Sequence, residues 1–161
     1  MIHLVLGGAR SGKSALAERM AGTEATYVAT WRPDPLDADM AARVATHRAR
    51  RPPGLATVEP GDEVVEAVRR CAGTVLVDSL TTWVAAAPRF DVDADGLCAA
   101  LQARQGSTIV VSDEVGLGVH PSHEAGRRFR DALGAVNQAV AAVADDVVLV
   151  VAGRVLRLER A

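Results

Sequence analysis

A chain of 161 residues with 49% hydrophobic and 24% charged content is sized for a single globular domain with a sizeable core. A formal net charge of −2 excludes broad non-specific binding to nucleic acid, and 3% aromatic content leaves no stacking platform for single strands. No membrane-spanning run or signal-peptide pattern is present, which implies a cytoplasmic protein, and Cys71 and Cys98 stand apart as reduced thiols, neither a disulfide framework nor a metal site.

The first segment, Met1 to Leu6, reads as a buried strand that runs straight into glycines. Gly7, Gly8, Ala9, Arg10, Ser11, Gly12, Lys13 and Ser14 then spell G-x-x-x-x-G-K-S, the phosphate-binding P-loop. Ser14 to Ala21 continues as a helix, so the motif has the strand, loop and helix it requires. Lys13 is the only lysine; the other seventeen of the eighteen basic residues are arginine. Arginine is a planar fork and lysine a compact ammonium on a thin stem, so a position that keeps lysine needs a small charge in a tight space. Glycines let the backbone amides curl around an anion, and the helix N-terminus adds partial positive charge. Lys13 would reach the β- and γ-phosphates and the Ser14 hydroxyl would ligate Mg²⁺. The competing reading is a glycine-rich turn with no ligand.

Downstream, Ala25 to Thr30 reads as a short strand, and Trp31 to Leu36, with two prolines, as a surface loop. Asp37 to about Arg50 has helical composition and stops before Pro52-Pro53-Gly54. A short strand over Ala56 to Glu59 and a helix from Asp62 to Cys71, capped by Asp62, come next. Thr74 to Asp78 is a buried strand. A turn at Asp91 to Asp95 leads into a helix over Leu97 to Arg104. Ser107 to Ser112 is another buried strand, and Arg127 to Ala144 the longest helix. Asp146 to Ala152 and Arg154 to Leu158 close the chain as a hairpin through Gly153. Apolar strands alternating with helices predict an α/β fold: one P-loop domain over 1–161, a mostly parallel sheet with helices on both faces and an antiparallel C-terminal edge.

Ligands of such sheets bind beyond the carboxyl ends of the strands. Val75-Leu76-Val77-Asp78 is an apolar run ending in an acid, a pattern that holds the Mg²⁺ shell beside a P-loop, although many strands end in Asp without a metal. The strand end at Ser112 passes into Asp113-Glu114-Val115-Gly116-Leu117-Gly118, where Asp113 or Glu114 could orient a hydroxyl or ribose, or simply be solvated. The segment Met40 to Arg51 carries His47 among Arg43, Arg48, Arg50 and Arg51. On a helix Arg43 and His47 are i, i+4 neighbours, and the surrounding cations disfavour imidazolium. A neutral imidazole is a nucleophile, and arginines stabilise the charge of a phosphoryl transition state. A solvated basic face with an inert histidine, or an anion-binding arginine cluster with the histidine as bystander, are the alternatives.

Several blocks together resemble one enzyme family. These are Gly7 to Ser14, Asp39-Met40-Ala41-Ala42-Arg43 with His47, Arg48 and Arg51-Pro52, Thr57-Val58-Glu59, and Val77-Asp78-Ser79-Leu80-Thr81-Thr82-Trp83. Glu114-Val115-Gly116-Leu117-Gly118 with Pro121, Arg128-Phe129-Arg130-Asp131 and Val136-Asn137-Gln138 follow in the same order. The pattern, from residue 1 to about 158, is similar to the bifunctional adenosylcobinamide kinase/adenosylcobinamide-phosphate guanylyltransferases of cobalamin biosynthesis. The resemblance implies a RecA-like fold, a homotrimer, and two reactions. A nucleoside triphosphate, ATP or GTP, phosphorylates the aminopropanol hydroxyl of adenosylcobinamide; then GTP guanylylates a histidine, and GMP passes on to give adenosyl-GDP-cobinamide and pyrophosphate. The guanylylated histidine falls on His47. Nucleotide contacts carry over to Gly7 through Ser14, to Thr30, Trp31 and Arg32, to Arg48, Ala49, Arg50 and Arg51, and to Glu59 and Asp78.

Three places depart from the family pattern: Leu55 stands near a common aromatic, Asp113 stands where asparagine is common, and the stretch from Trp83 to Asp95 is short. Two other functions fit the motifs: a simple small-molecule kinase in which His47 only contacts phosphate, and a non-catalytic RecA-like nucleotide switch.

Overall fold

The computed structural model describes residues 1–32, 42, 45 and 55–160. The strands are β1 (Ile2–Gly7), β2 (Thr26–Ala29), β3 (Thr57–Val58), β4 (Val75–Asp78), β5 (Thr108–Asp113), β6 (Asp146–Val151) and β7 (Arg154–Leu158). Among the described residues the helices are α1 (Lys13–Ala21), α2 (Val64–Arg70), α3 (Leu80–Ala86), α4 (Ala94–Ala103) and α5 (Glu124–Val143), with a 3-10 turn at Pro88–Phe90.

Among the described residues seven strands form one sheet in the order β3-β2-β4-β5-β1-β6-β7. Every pairing is parallel except the last, β6 with β7. β1 lies between β5 and β6, with Leu4 opposite Val110 and Val147, and Val5 opposite Val111 and Val148. A strand buried on both faces is apolar at most successive positions, which explains Ile2, Leu4, Val5 and Leu6; His3, half-buried among them, lies 3.5 Å from Asp146 Oδ2.

The pleat divides those side chains into two cores. Leu4, Leu6, Val28, Val75, Val77 and Val110 meet α2 to α5. Val5, Tyr27, Leu76, Ile109, Val111, Val148 and Val150 meet Ala17 of α1, with Leu16 and Met20 alongside. Helices thus cover both faces, four against one among the described residues. α5 shows why its face is buried: Leu133, Val136, Asn137 and Val140 fall at i, i+3, i+4 and i+7.

The antiparallel edge forms as the sequence predicts. Ala152 (φ 49°) and Gly153 (φ 74°) both take the left-handed region between β6 and β7, as a two-residue type I′ turn requires.

Several boundaries differ from expectation. Asp62 does not cap α2, which starts at Val64 with Glu63 at the cap and no side-chain bond there; Asp62 pairs with Arg32 instead. α4 begins at Ala94, inside the expected turn, because Asp93 accepts the Gly96 N–H at 2.8 Å. α5 begins at Glu124, a turn before Arg127. α3 has no counterpart among the elements expected from sequence. Ser79 and Thr82 form a reciprocal capping box for it, and Leu80, Trp83 and Val84 bury its face. The stretch from Trp83 to Asp95 is therefore structured, and Phe90 stacks edge-on against Phe129 at 5.5 Å. The expected helix over 37–50 lies outside the described residues, apart from Ala42 and Ala45, which are helical.

Arg104, just past α4, ties three elements. Its guanidinium donates to the carbonyls of Val68 (2.9 Å), Cys71 and Gly73 (2.6 Å) and to Thr108 Oγ1 (3.0 Å). The fork geometry of arginine makes these bonds simultaneously possible. Replacing Arg104 with Ala leaves carbonyls at the end of α2 unpaired and should cost about 2 kcal/mol. The urea midpoint of Arg104→Ala against wild type measures it; Arg104→Lys should recover only part of the loss.

Candidate active site

The carboxyl ends of β1, β4 and β5 lie side by side, and the functional side chains gather there. β1 ends at Gly7, whose register partners are Asp113 of β5 and Val150 of β6. The chain turns through Gly8 to Gly12 before α1. Arg10 (φ 57°) and Gly12 (φ 99°) take left-handed conformations, and the Ser11 N–H reaches the Gly8 carbonyl at 3.2 Å. The β6–β7 turn braces the loop from outside: Gly153 N–H donates to the Ser11 carbonyl at 2.8 Å. A side chain on Gly7 would place its Cβ 2.5 Å from Ser11 Oγ and 2.7 Å from the Val150 carbonyl oxygen. The tight curl therefore depends on glycine where the strand becomes loop.

Lys13 opens α1, and its ammonium folds back over the loop. Nζ lies 3.3 Å from the Gly8 carbonyl oxygen and 2.5 Å from Asp113 Oδ1. Its side chain is 13% exposed and that of Asp113 25%, so water screens the pair only in part. The backbone of Asp113 is held by two side chains. Its N–H donates to Thr81 Oγ1 at 2.8 Å, and its carbonyl accepts Asn137 Nδ2 at 3.1 Å.

Asp78 closes β4, one strand away from β1, and its Oδ2 accepts the Tyr27 hydroxyl. Thr30, following β2, is 2% exposed, and its hydroxyl is used inside the protein. It donates to the Ser79 carbonyl at 2.6 Å, accepts the Ser79 N–H at 2.9 Å and lies 2.6 Å from Thr82 Oγ1. Thr30 thus joins the end of β2 to the start of α3. Trp31 is half-buried, and Arg32 pairs with Asp62 and donates to the Gly61 carbonyl at 3.2 Å. Glu59 follows β3, the outermost strand, with β2, β4 and β5 between it and β1. His47, Arg48, Ala49, Arg50 and Arg51 lie outside the described residues.

The structure therefore brings Gly7 to Ser14 together with Asp78 at one end of the sheet, and leaves Glu59 at its far edge. Sequence reasoning did not foresee Tyr27 behind Asp78, or Thr81 and Asn137 behind Asp113. For Asn137 a signal existed: it is the polar residue in the apolar stripe of α5, and a buried amide needs a partner.

Chemically, the loop offers an anion site made of amides, a helix N-terminus and an ammonium. The donors available to a cation are hard oxygens, the Ser14 hydroxyl and the Asp78 carboxylate, which suit Mg²⁺. Among the described residues no group of three or more His, Cys, Asp or Glu forms a protein cage for a metal. Mg²⁺ in phosphoryl-transfer sites takes one or two protein oxygens and completes its shell with phosphate and water, so this donor set fits it.

Residues 3–158 match the family model described as cobinamide kinase / cobinamide phosphate guanyltransferase. A bifunctional adenosylcobalamin biosynthesis protein of Pseudomonas aeruginosa is 40% identical, over 95% of this chain and 94% of its own. Bifunctional adenosylcobalamin biosynthesis proteins of Escherichia coli and Salmonella typhimurium are each 37% identical, over 95% of this chain and 97% of theirs.

The geometry separates two loop glycines. A Cβ added to Gly8 would meet nothing within 4 Å, whereas one on Gly7 meets backbone. Gly7→Ala should cost about 2 kcal/mol through overpacking, lowering the melting temperature by roughly 4–8 °C. Gly8→Ala should melt within about 2 °C of wild type. Thermal unfolding of the two variants side by side is the check.

Proposed function

This chain belongs to the cobinamide kinase / cobinamide phosphate guanyltransferase family, and from that premise we propose a division of labour among its residues. The protein is a bifunctional cobinamide kinase and cobinamide phosphate guanylyltransferase. The observation that carries the assignment of roles is the placement of Lys13 at the carboxyl end of β1, its ammonium turned over the Gly8 carbonyl.

In the first reaction the loop amides from Gly8 to Ser14 and the Lys13 ammonium hold the β- and γ-phosphates of ATP or GTP. The aminopropanol hydroxyl of adenosylcobinamide attacks the γ-phosphorus: the new O–P bond forms, the hydroxyl O–H bond breaks with its proton passing to solvent, and the bond to the β-phosphate oxygen breaks, releasing the nucleoside diphosphate. Ser14 and Asp78 would hold Mg²⁺, which neutralises phosphate charge when bound. The Tyr27 hydroxyl on Asp78 Oδ2 keeps that carboxylate in one orientation.

In the second reaction His47 supplies a neutral imidazole nitrogen to the α-phosphorus of GTP. The N–P bond forms and pyrophosphate leaves; a phosphate oxygen of the phosphorylated cobinamide then displaces the histidine and takes GMP. Arg48, Arg50 and Arg51 stabilise the oxygens of the transition state. Trp31, Arg32, Ala49 and Glu59 belong to the GTP surface, and Thr30 supports it through the backbone of Ser79. The α- and γ-phosphates are separate targets, so the His47 segment moves or the nucleotide rebinds between steps. A cytoplasmic homotrimer is the working form.

Two variants test the division. His47→Ala should abolish guanylyl transfer and retain kinase activity, each followed by its own product assay. Equal loss of both in a folded variant would contradict a dedicated nucleophile. Lys13→Ala should lower both activities by a factor of about 100 or more, as expected for the loss of a transition-state charge contact; an unimpaired Lys13→Ala enzyme would contradict the phosphate-binding role.

A further inference from the structure

The lysine of the loop does not stand alone. An ammonium has three N–H donors. In Lys13 one is directed at Asp113 Oδ1 at 2.5 Å and one at the Gly8 carbonyl at 3.3 Å. Its charge is therefore already shared with a carboxylate at contact distance. The Asp113 backbone that carries this carboxylate is held in place. Its Cα lies opposite Gly7 in the β1–β5 register, and its N–H and carbonyl are held by Thr81 and Asn137. The helix that carries Thr81 is itself capped by Ser79, immediately after Asp78. The backbone of Asp113 is thus tied on one side to the loop strand and on the other to the helix that follows β4.

We propose that Asp113 is a positioning residue that acts through Lys13 and sets how tightly the loop holds phosphate. The inference rests on the nucleotide-binding reading of the loop. The ligand class is a nucleoside di- or triphosphate. Its terminal phosphate oxygens compete with the Asp113 carboxylate for the same ammonium, and the carboxylate also repels them. Two negative groups sharing one cation lower the affinity of each. The pair holds the lysine in one orientation over the loop, at the expense of ground-state affinity. An enzyme that must release one nucleotide product and then take up GTP again gains from a loop that does not retain phosphate.

The test is nucleotide affinity, measured by calorimetry with GTP and GDP on full-length wild type, Asp113→Asn, Asp113→Glu and Lys13→Ala. Asp113→Asn removes the competing charge and keeps the size. It should bind GTP about tenfold more tightly, a change of about 1.4 kcal/mol. KM for GTP should fall and kcat should fall with it, because product leaves more slowly. Asp113→Glu keeps the charge and should stay within about threefold of wild type, about 0.65 kcal/mol. A merely structural role for Asp113 would move affinity the other way. Asp113→Ser, which leaves the backbone bonds to Thr81 and Asn137, is read in the same manner should Asp113→Asn not fold. The sole lysine offers a direct readout: protein labelled with ¹³C-lysine gives a single Cε resonance, and Asp113→Asn should shift it. Unchanged or weaker GTP binding by folded Asp113→Asn, with binding lost in Lys13→Ala, overturns the proposal and leaves the loop reading standing. Unchanged GTP binding by Lys13→Ala overturns both.

Discussion

Everything at the working end of this protein depends on bringing one ammonium to the mouth of one strand. Lys13 follows a glycine whose φ of 99° other residues rarely adopt, and that glycine ends a loop whose first residue has no room for a side chain unless its neighbours shift. The loop can be this tight because β1 is central. With β5 and β6 hydrogen-bonded on either side, the position of Gly7 is fixed against Asp113 and Val150. The turn between β6 and β7 then sets the Gly153 N–H on the Ser11 carbonyl, so the edge hairpin also shapes the glycine-rich loop.

Parallel pairing has a second consequence. Strands that run the same way end on the same side, so the residues after each strand share one surface. Asp78 and Asp113 arrive there through the ends of β4 and β5, and each is held by a side chain from another element, Tyr27 and Thr81. Thr30 fastens β2 to the same region through Ser79. The site is therefore a set of strand ends tied laterally, with the cores on both faces supplying the rigidity that the loop lacks by itself.

The strands and the glycine-rich loop between β1 and α1 were legible in the sequence because each is written in a short local pattern. Val75 to Val77 are apolar without interruption, Ile2 to Leu6 are apolar but for His3, and Ala152-Gly153 sits between the two strand patterns that close the chain. What escaped was set by tertiary partners. Asp62 has a capping side chain, but Arg32, thirty residues away, claims it. α3 follows its strand after a single residue and is only seven residues long, too short for its apolar face of Leu80, Trp83 and Val84 to show a clear helical period; only Ser79 with Thr82 marked a helix start. At the candidate site, Lys13, Ser14 and Asp78 were singled out by motif, whereas the Lys13–Asp113 contact joins residues a hundred positions apart and no local rule anticipates it. The family resemblance was legible in the order of several blocks, and it reached His47, for which composition alone left three roles open.

The central claim is that the phosphate loop and His47 serve one enzyme that passes GMP through its own histidine. The most direct measurement is the intact mass of the purified protein after incubation with GTP and Mg²⁺, followed by peptide mapping. An acid-labile adduct of one GMP on the peptide containing His47 is the result expected. Folded protein that binds GTP yet carries no adduct, or carries it on another residue, would contradict the account.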